Sequence, residues 1–133
     1  MADVKAFIKK WHGRTLQDDG SVVSKEFKWF QTAFGNAMKK IAASLNAELV
    51  NYSKGHYDMS GFIKRGDKYV YFNYSSSFCG GRTQVLLKNN RYGEFYSPLL
   101  IRTAKNEKDY TGGYNNFESF ESCETLIDKL LNQ

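Results

Sequence analysis

The chain has 133 residues, 41% of them hydrophobic and 25% charged, with a formal net charge of +5. That is the length of one domain with enough apolar mass for a core, and 16% aromatics with a single proline exclude a disordered chain. No apolar run approaches the ~20 residues that cross a bilayer, and Met1-Ala-Asp-Val-Lys5 lacks the basic segment and apolar core of a secretory leader.

Val4, Phe7, Ile8 and Trp11 follow helical spacing, and Gly13 supplies a stop. The stretch from Arg14 to Val23, with Asp18-Asp19-Gly20 at its middle, reads as a loop. Ser24 is an N-cap for a longer helix over about 24–46, with Glu26 in its first turn. On a wheel advancing ~100° per residue, Phe27, Phe30, Phe34, Ala37, Met38, Ile41 and Leu45 fill an arc of about 100°. Lys25, Lys28, Lys39 and Lys40 gather around the opposite pole. Trp29 falls among the lysines.

After Asn46 the period changes from helix to strand. Glu48 to Tyr52 is the first candidate strand, and 57–65 with 68–76 form a hairpin around Gly66-Asp67. Arg65-Gly66-Asp67 matches an integrin-type tripeptide, but its place between two strands explains it as turn chemistry. Thr83 to Lys88 and Arg91 to Tyr96 are expected to pair across Asn89-Asn90. Leu99 to Thr103 follows Pro98, whose missing N–H suits a strand start. A last helix runs from about Ser119 to Leu131. Phe120, Cys123, Ile127, Leu130 and Leu131 face inward on it, with Glu121, Glu124 and Asp128 outward. The fold class is therefore α+β. It is a single domain over 1–133 with two N-terminal helices, an antiparallel sheet of about five strands and a C-terminal helix. The apolar sheet face packs on the phenylalanines of the second helix.

Charge is uneven: residues 1–46 carry +4, 47–103 carry +4, and 104–133 carry −3. A basic body suits an anionic partner, RNA or DNA or an acidic protein patch, met on one side. Lys25, Lys28, Lys39 and Lys40 would attract phosphates, and an exposed Trp29 would stack a base or anchor in a protein pocket. The structural alternative is a Trp29 covered by the first helix.

Catalytic signatures are weak. Cys79, in Phe78-Cys-Gly-Gly-Arg82, would need a nearby base, and only His12 and His56 are available. Cys79, Cys123 and the two histidines lack the paired spacing of a zinc site, and neither metal nor cofactor is expected. Two cysteines are too few for a secreted disulfide scaffold, so a reduced cytoplasm is the expected compartment. Glu107-Lys108-Asp109 has the residue types of a nuclease centre, but in a polar loop.

That loop is a twelve-residue polar stretch, Arg102-Thr-Ala-Lys-Asn-Glu-Lys-Asp-Tyr-Thr-Gly-Gly113, set between a strand and a helix. Loops so placed commonly carry function. Arg102, Lys105, Glu107, Lys108, Asp109 and Tyr110 offer both charge signs and one aromatic, which makes them the expected partner contact, the structural alternative being a Tyr110 folded back onto the sheet with Asp109 capping the turn. The segment, and the chain from about Tyr69 onward, resembles small, mostly uncharacterised proteins of bacterial phages and integrative mobile elements. Proteins of that setting and size often act as stoichiometric inhibitors of host defence, anti-CRISPR proteins among them. The resemblance implies a non-catalytic protein that occupies a host protein or nucleoprotein complex. It assigns no residue roles. A small RNA- or DNA-binding domain using the lysine face is the alternative, and an enzyme acting through 102–113 the third class.

Overall fold

The computed structural model describes residues 1–17, 25–55, 58–75, 77–79, 82–88 and 98–133. The expected cap at Ser24, the loop residues 18–23, Tyr57, Ser76, His56, the Asn89-Asn90 turn and the strand over 91–96 lie outside them.

The first helix, α1 (Lys5–Trp11), buries Ile8 and Trp11 and ends before Gly13, whose φ of +80° takes the chain into the left-handed region. The long helix α2 (Lys25–Ser44) buries Phe27, Phe30, Phe34, Ala37, Met38 and Ile41, as its wheel requires. Its C-terminus closes on Asn46, at φ +55°: Ala47 N–H donates to Ala42 O at 2.9 Å and Asn46 N–H to Ala43 O at 3.1 Å. Asparagine substitutes here for the usual glycine, satisfying the last carbonyls of the helix.

Between these helices the structure corrects the expected loop at 14–23. Residues 15–17 form a strand, β1 (Thr15–Gln17), with Leu16 buried. Three residues are too few to show a period of two, and the following Asp-Asp-Gly reads as a turn.

An all-antiparallel five-stranded sheet follows, in the order β2-β3-β4-β7-β8. Its strands are β2 (Glu48–Lys54), β3 (Asp58–Arg65), β4 (Lys68–Ser75), β7 (Leu99–Ala104) and β8 (Asn116–Phe117). The β3–β4 turn is the expected one, with Gly66 at φ +63° and Arg65 paired with Lys68. Alternation sends Met59, Ile63, Val70, Phe72, Tyr74, Leu99 and Ile101 to the inner face, where all are buried. α2 covers β2 and β3, and the C-terminal helix α3 (Cys123–Leu131) covers β4 and β7. α3 enters through one 3₁₀ turn, Phe120–Ser122, capped by Ser119, whose hydroxyl accepts from Ser122 N–H at 3.2 Å.

The core between these layers is aromatic. Phe30 lies 5.7 Å from Tyr74, Phe34 5.2 Å from Tyr74 and 6.1 Å from Phe72, and Phe7 5.0 Å from Phe120. Each such pair adds ~0.5–1.5 kcal/mol beyond its burial. Arg65 ties the two long helices at their C-terminal ends, donating to Leu45 O at 2.9 Å and Asp128 Oδ1 at 3.0 Å. The tripeptide arginine is thus a structural clamp.

The second correction concerns 83–88. Only residues 82–84 form a strand, β6 (Arg82–Gln84), which pairs with β1 and with β5 (Ser77–Cys79) in a small separate sheet. Residues 85–88 run extended outside any sheet, with Val85 and Leu87 fully buried. Their backbone groups find scattered partners: Gly13 N–H donates to Val85 O and Val85 N–H to Arg14 O, at 2.8 and 2.9 Å. The Tyr74 hydroxyl accepts from Leu86 N–H at 3.0 Å, and Glu121 N–H donates to Leu87 O at 2.9 Å. Alternating apolar residues mark burial on one side, and long-range hydrogen bonds meet that demand as well as a ladder does.

Candidate functional site

The two surfaces singled out in the sequence lie on opposite sides of the sheet. α2 packs on the inner face, whereas Phe62, Lys64, Tyr69, Tyr71, Leu100 and Arg102 alternate to the outer one. Register aligns Val50, Phe62, Tyr71 and Arg102 in a row across four strands.

The 102–113 segment folds over that row as a strap. Tyr110 sets its ring 5.1 Å from Tyr71, and the Arg102 guanidinium lies 5.9 Å from the Tyr110 ring. Arg102 also donates to Gly113 O at 2.9 Å, which turns its charge into the strap. β2 carries a bulge at Asn51, φ +52°, and the Asn51 amide donates to Glu107 O at 2.7 Å. A bulge re-aims one side chain without breaking the strand. Here it points the anchor at the strap.

Local hydrogen bonds complete the shape. Asn106 Oδ1 accepts from Lys108 N–H at 2.8 Å, and Lys105 N–H donates to Asp109 O at 3.1 Å. Asp109 accepts from both the N–H and the hydroxyl of Thr111, and these donors lower its pKa, the hydroxyl first. Glu107 is also held below its ordinary pKa, chiefly by its own backbone N–H and then by the Tyr69 hydroxyl, with Lys64 and Lys108 adding to it. Gly113 packs so closely that a Cβ there would sit 2.8 Å from the backbone N and O of Thr103. Lys105 and Lys108 remain exposed, and Tyr110 is 52% exposed. Beyond the strap, Tyr114 and Phe117 are exposed as well.

On the other side, Lys25, Lys28, Lys39 and Lys40 are all exposed, as the wheel places them. Trp29 is 63% exposed. The covered tryptophan is Trp11, at 3%, under the cations Arg14 at 4.8 Å and Lys10 at 5.2 Å from its ring. Between α1 and α2 opens a groove of about 280 Å³, lined by Val4, Phe7, Trp11, Ala33 and Ala37 and by the charged Asp3, Lys10 and Lys40. Trp29 stands one helical turn before Ala33. Lys54 Nζ approaches this face from β2, donating to Thr32 Oγ1 at 3.0 Å. Residues 4–17 and 27–47 contain no Asp or Glu, and the acids that flank them are Asp3, at the groove, and Glu26, in the first turn of α2.

His12 is a fixed acceptor. Its Nδ1 takes Leu87 N–H at 2.9 Å and Lys88 N–H at 3.2 Å. Burial first, and the charge of Lys88 second, lower its pKa, against an opposing effect of Glu121. Cys123 is a free, fully buried thiol, and burial pushes its pKa up, with Glu118 and Glu124 adding to the rise. Among the described residues, no three of His, Cys, Asp or Glu gather into a metal-binding group, and no helix is long and apolar enough to cross a membrane.

The groove, Lys10 and Lys54 were not picked out by sequence. The lysine spacing of α1 was a usable signal for Lys10, but the approach of Lys54 exists only through the packing of β2. Comparisons of the chain with known protein families, characterised proteins and solved structures find no match.

Proposed function

We propose that this is a non-catalytic binding protein of a mobile element, a stoichiometric inhibitor that occupies a host defence protein or nucleoprotein. The observation that carries the reading is the exposed face of α1 and α2, where lysines flank a bare tryptophan, outnumber the single acid Glu26 of α2 and, between 27 and 47, meet no carboxylate. Such a face favours an anionic partner by long-range attraction, and an exposed tryptophan supplies short-range affinity. The resemblance of the 102–113 segment supplies the setting. Tyr110, Lys105 and Lys108 on the outer face form a second, smaller contact, with Arg102, Glu107 and Asp109 shaping it from beneath.

Affinity capture from a bacterial lysate, with and without nuclease, tests the reading. A stoichiometric protein partner that survives nuclease and is lost on Lys28→Glu/Lys39→Glu/Lys40→Glu replacement is the expected result. Turnover of a nucleotide or nucleic acid by the purified protein would overturn it. The same lysine face also suits a small RNA- or DNA-binding domain, since Trp29 lies bare among the lysines, and nuclease-sensitive capture would favour that reading.

A further inference from the structure

The exposed lane of α2 has an internal repeat. Lys28-Trp29 and Lys39-Lys40 are eleven residues apart, close to three turns at 3.6 residues per turn, so both pairs point the same way about 16 Å apart. Between them the exposed positions are Thr32 and Asn36, small and uncharged, with Lys54 reaching in beside Thr32. The lane offers one flat aromatic ring with Lys25, Lys28, Lys39 and Lys40 along it, and from Trp29 to Lys40 no carboxylate; Glu26, exposed one turn before Trp29, is the one acid of the helix.

We propose that this lane binds a single-stranded polynucleotide, with one base stacked on Trp29 and the phosphates following Lys28, Lys54, Lys39 and Lys40. The inference rests on the reading of the basic face as the surface that meets a host nucleoprotein, and assigns the lane to the single-stranded nucleic acid of that complex. An acidic polypeptide answers the charge, but it meets the ring only where it also brings a pocket or an aromatic side chain to the same place. Nor does the helix offer an extended peptide any backbone partner, since its own N–H and C=O groups are mutually bonded. A polynucleotide supplies bases and anions together, and stacking on an aromatic is tolerant of sequence. A paired duplex hides its base faces from Trp29. The groove beyond Ala33 then receives the next nucleotide, between Lys10 and Lys40.

Trp29, 63% exposed, is the main reporter, and Trp11, 3% exposed, lines the neighbouring groove, so the Trp29→Phe variant separates the two signals. Titration of the intact protein at low salt with fifteen-nucleotide oligo-dT and oligo-U should quench tryptophan fluorescence. Trp29→Phe should abolish most of the quench. Trp29→Ala should weaken binding roughly tenfold while Trp29→Tyr retains most of it, as stacking requires. Lys28→Glu/Lys39→Glu/Lys40→Glu should lower the slope of log K against log salt by about 2, three contacts at about 0.7 each for single strands. Duplex DNA bound as well as oligo-dT, or equal binding by Trp29→Ala, would overturn the proposal and leave only diffuse attraction. Competition by polyglutamate without fluorescence change would assign the lane to an acidic protein. Lack of oligonucleotide binding alongside a nuclease-resistant protein partner would sink this inference and spare the reading of the surface.

Discussion

Tyr110 rests against Tyr71, ring centres 5.1 Å apart, on the sheet face that turns away from α2. The pair joins the tip of the polar strap to the central strand β4, and Asn51, Tyr69 and Arg102 hold the strap on either side of it. The segment is therefore seated at several points, with Tyr110 folded back onto the sheet as the structural alternative to a partner contact has it, and its mutational signature differs from that of a dangling contact.

Tyr110→Ala should lower stability by about 1 kcal/mol, the value of one aromatic pair, or roughly 3–5 °C in Tm for a chain of this size. Thermal melts check it. An unchanged midpoint with lost partner binding would show that the ring serves contact alone.

Gly113→Ala should destabilise more than Gly13→Ala for a steric reason, although Gly13 is the one with positive φ. A Cβ at 113 meets the Thr103 backbone at 2.8 Å, whereas nothing lies within 4 Å of one at 13. Overpacking costs ~1–3 kcal/mol, against roughly 1–2 kcal/mol for forcing a non-glycine residue into the left-handed region, and a backbone contact at 2.8 Å belongs at the upper end of the first range. Urea melts of the two variants test the order, and equal losses would count against the seated strap.

His12 makes stability fall on mild acidification. Its native pKa lies below the ordinary 6.5, first because burial disfavours the charged ring and then because the Lys88 charge opposes it, and its Nδ1 is held as an acceptor by the Leu87 and Lys88 N–H groups. The unfolded chain takes up a proton near pH 6.5 while the native site resists it. The stabilisation is therefore complete above that pH and is lost as pH falls towards the native value. Melts from pH 7.5 to 5 should show a declining midpoint, and His12→Asn, which keeps an acceptor near Nδ1, should flatten the decline. A slope identical to the parent's would remove His12 as its cause.

Phe34→Ala should cost roughly 3–5 kcal/mol, as fully buried aromatics do, while Lys28→Glu stays within about 0.5 kcal/mol. Phe34 is fully buried among Phe7, Phe72, Tyr74 and Phe120, and Lys28 is exposed. Chemical denaturation compares them directly, and equal losses would mean that α2 is turned the other way.

Local pattern alone determined which elements form where the period is long. Twenty residues of α2 and the alternation of β3 and β4 each present one apolar face, and that face has to be buried, so the helices, the hairpin and the α+β class were readable in the chain. The orientation of α2 was readable as well, and with it the exposure of Lys28, Lys39 and Lys40. The sequence left Trp29 open between exposure and cover by the first helix, because burial depends on which neighbour arrives, and packing leaves it 63% exposed. Short elements escaped for a related reason: β1 and β6 have three residues each, too few for a period, and exist because distant strands complete their hydrogen bonds. Residues 85–88 show the converse, a true burial pattern met by His12, Tyr74 and Gly13 instead of a ladder. The strap was the largest tertiary decision. A polar run specifies no burial partner by itself, and its seat on Tyr71 depends on a bulge at Asn51 and on a register that sets four strands side by side.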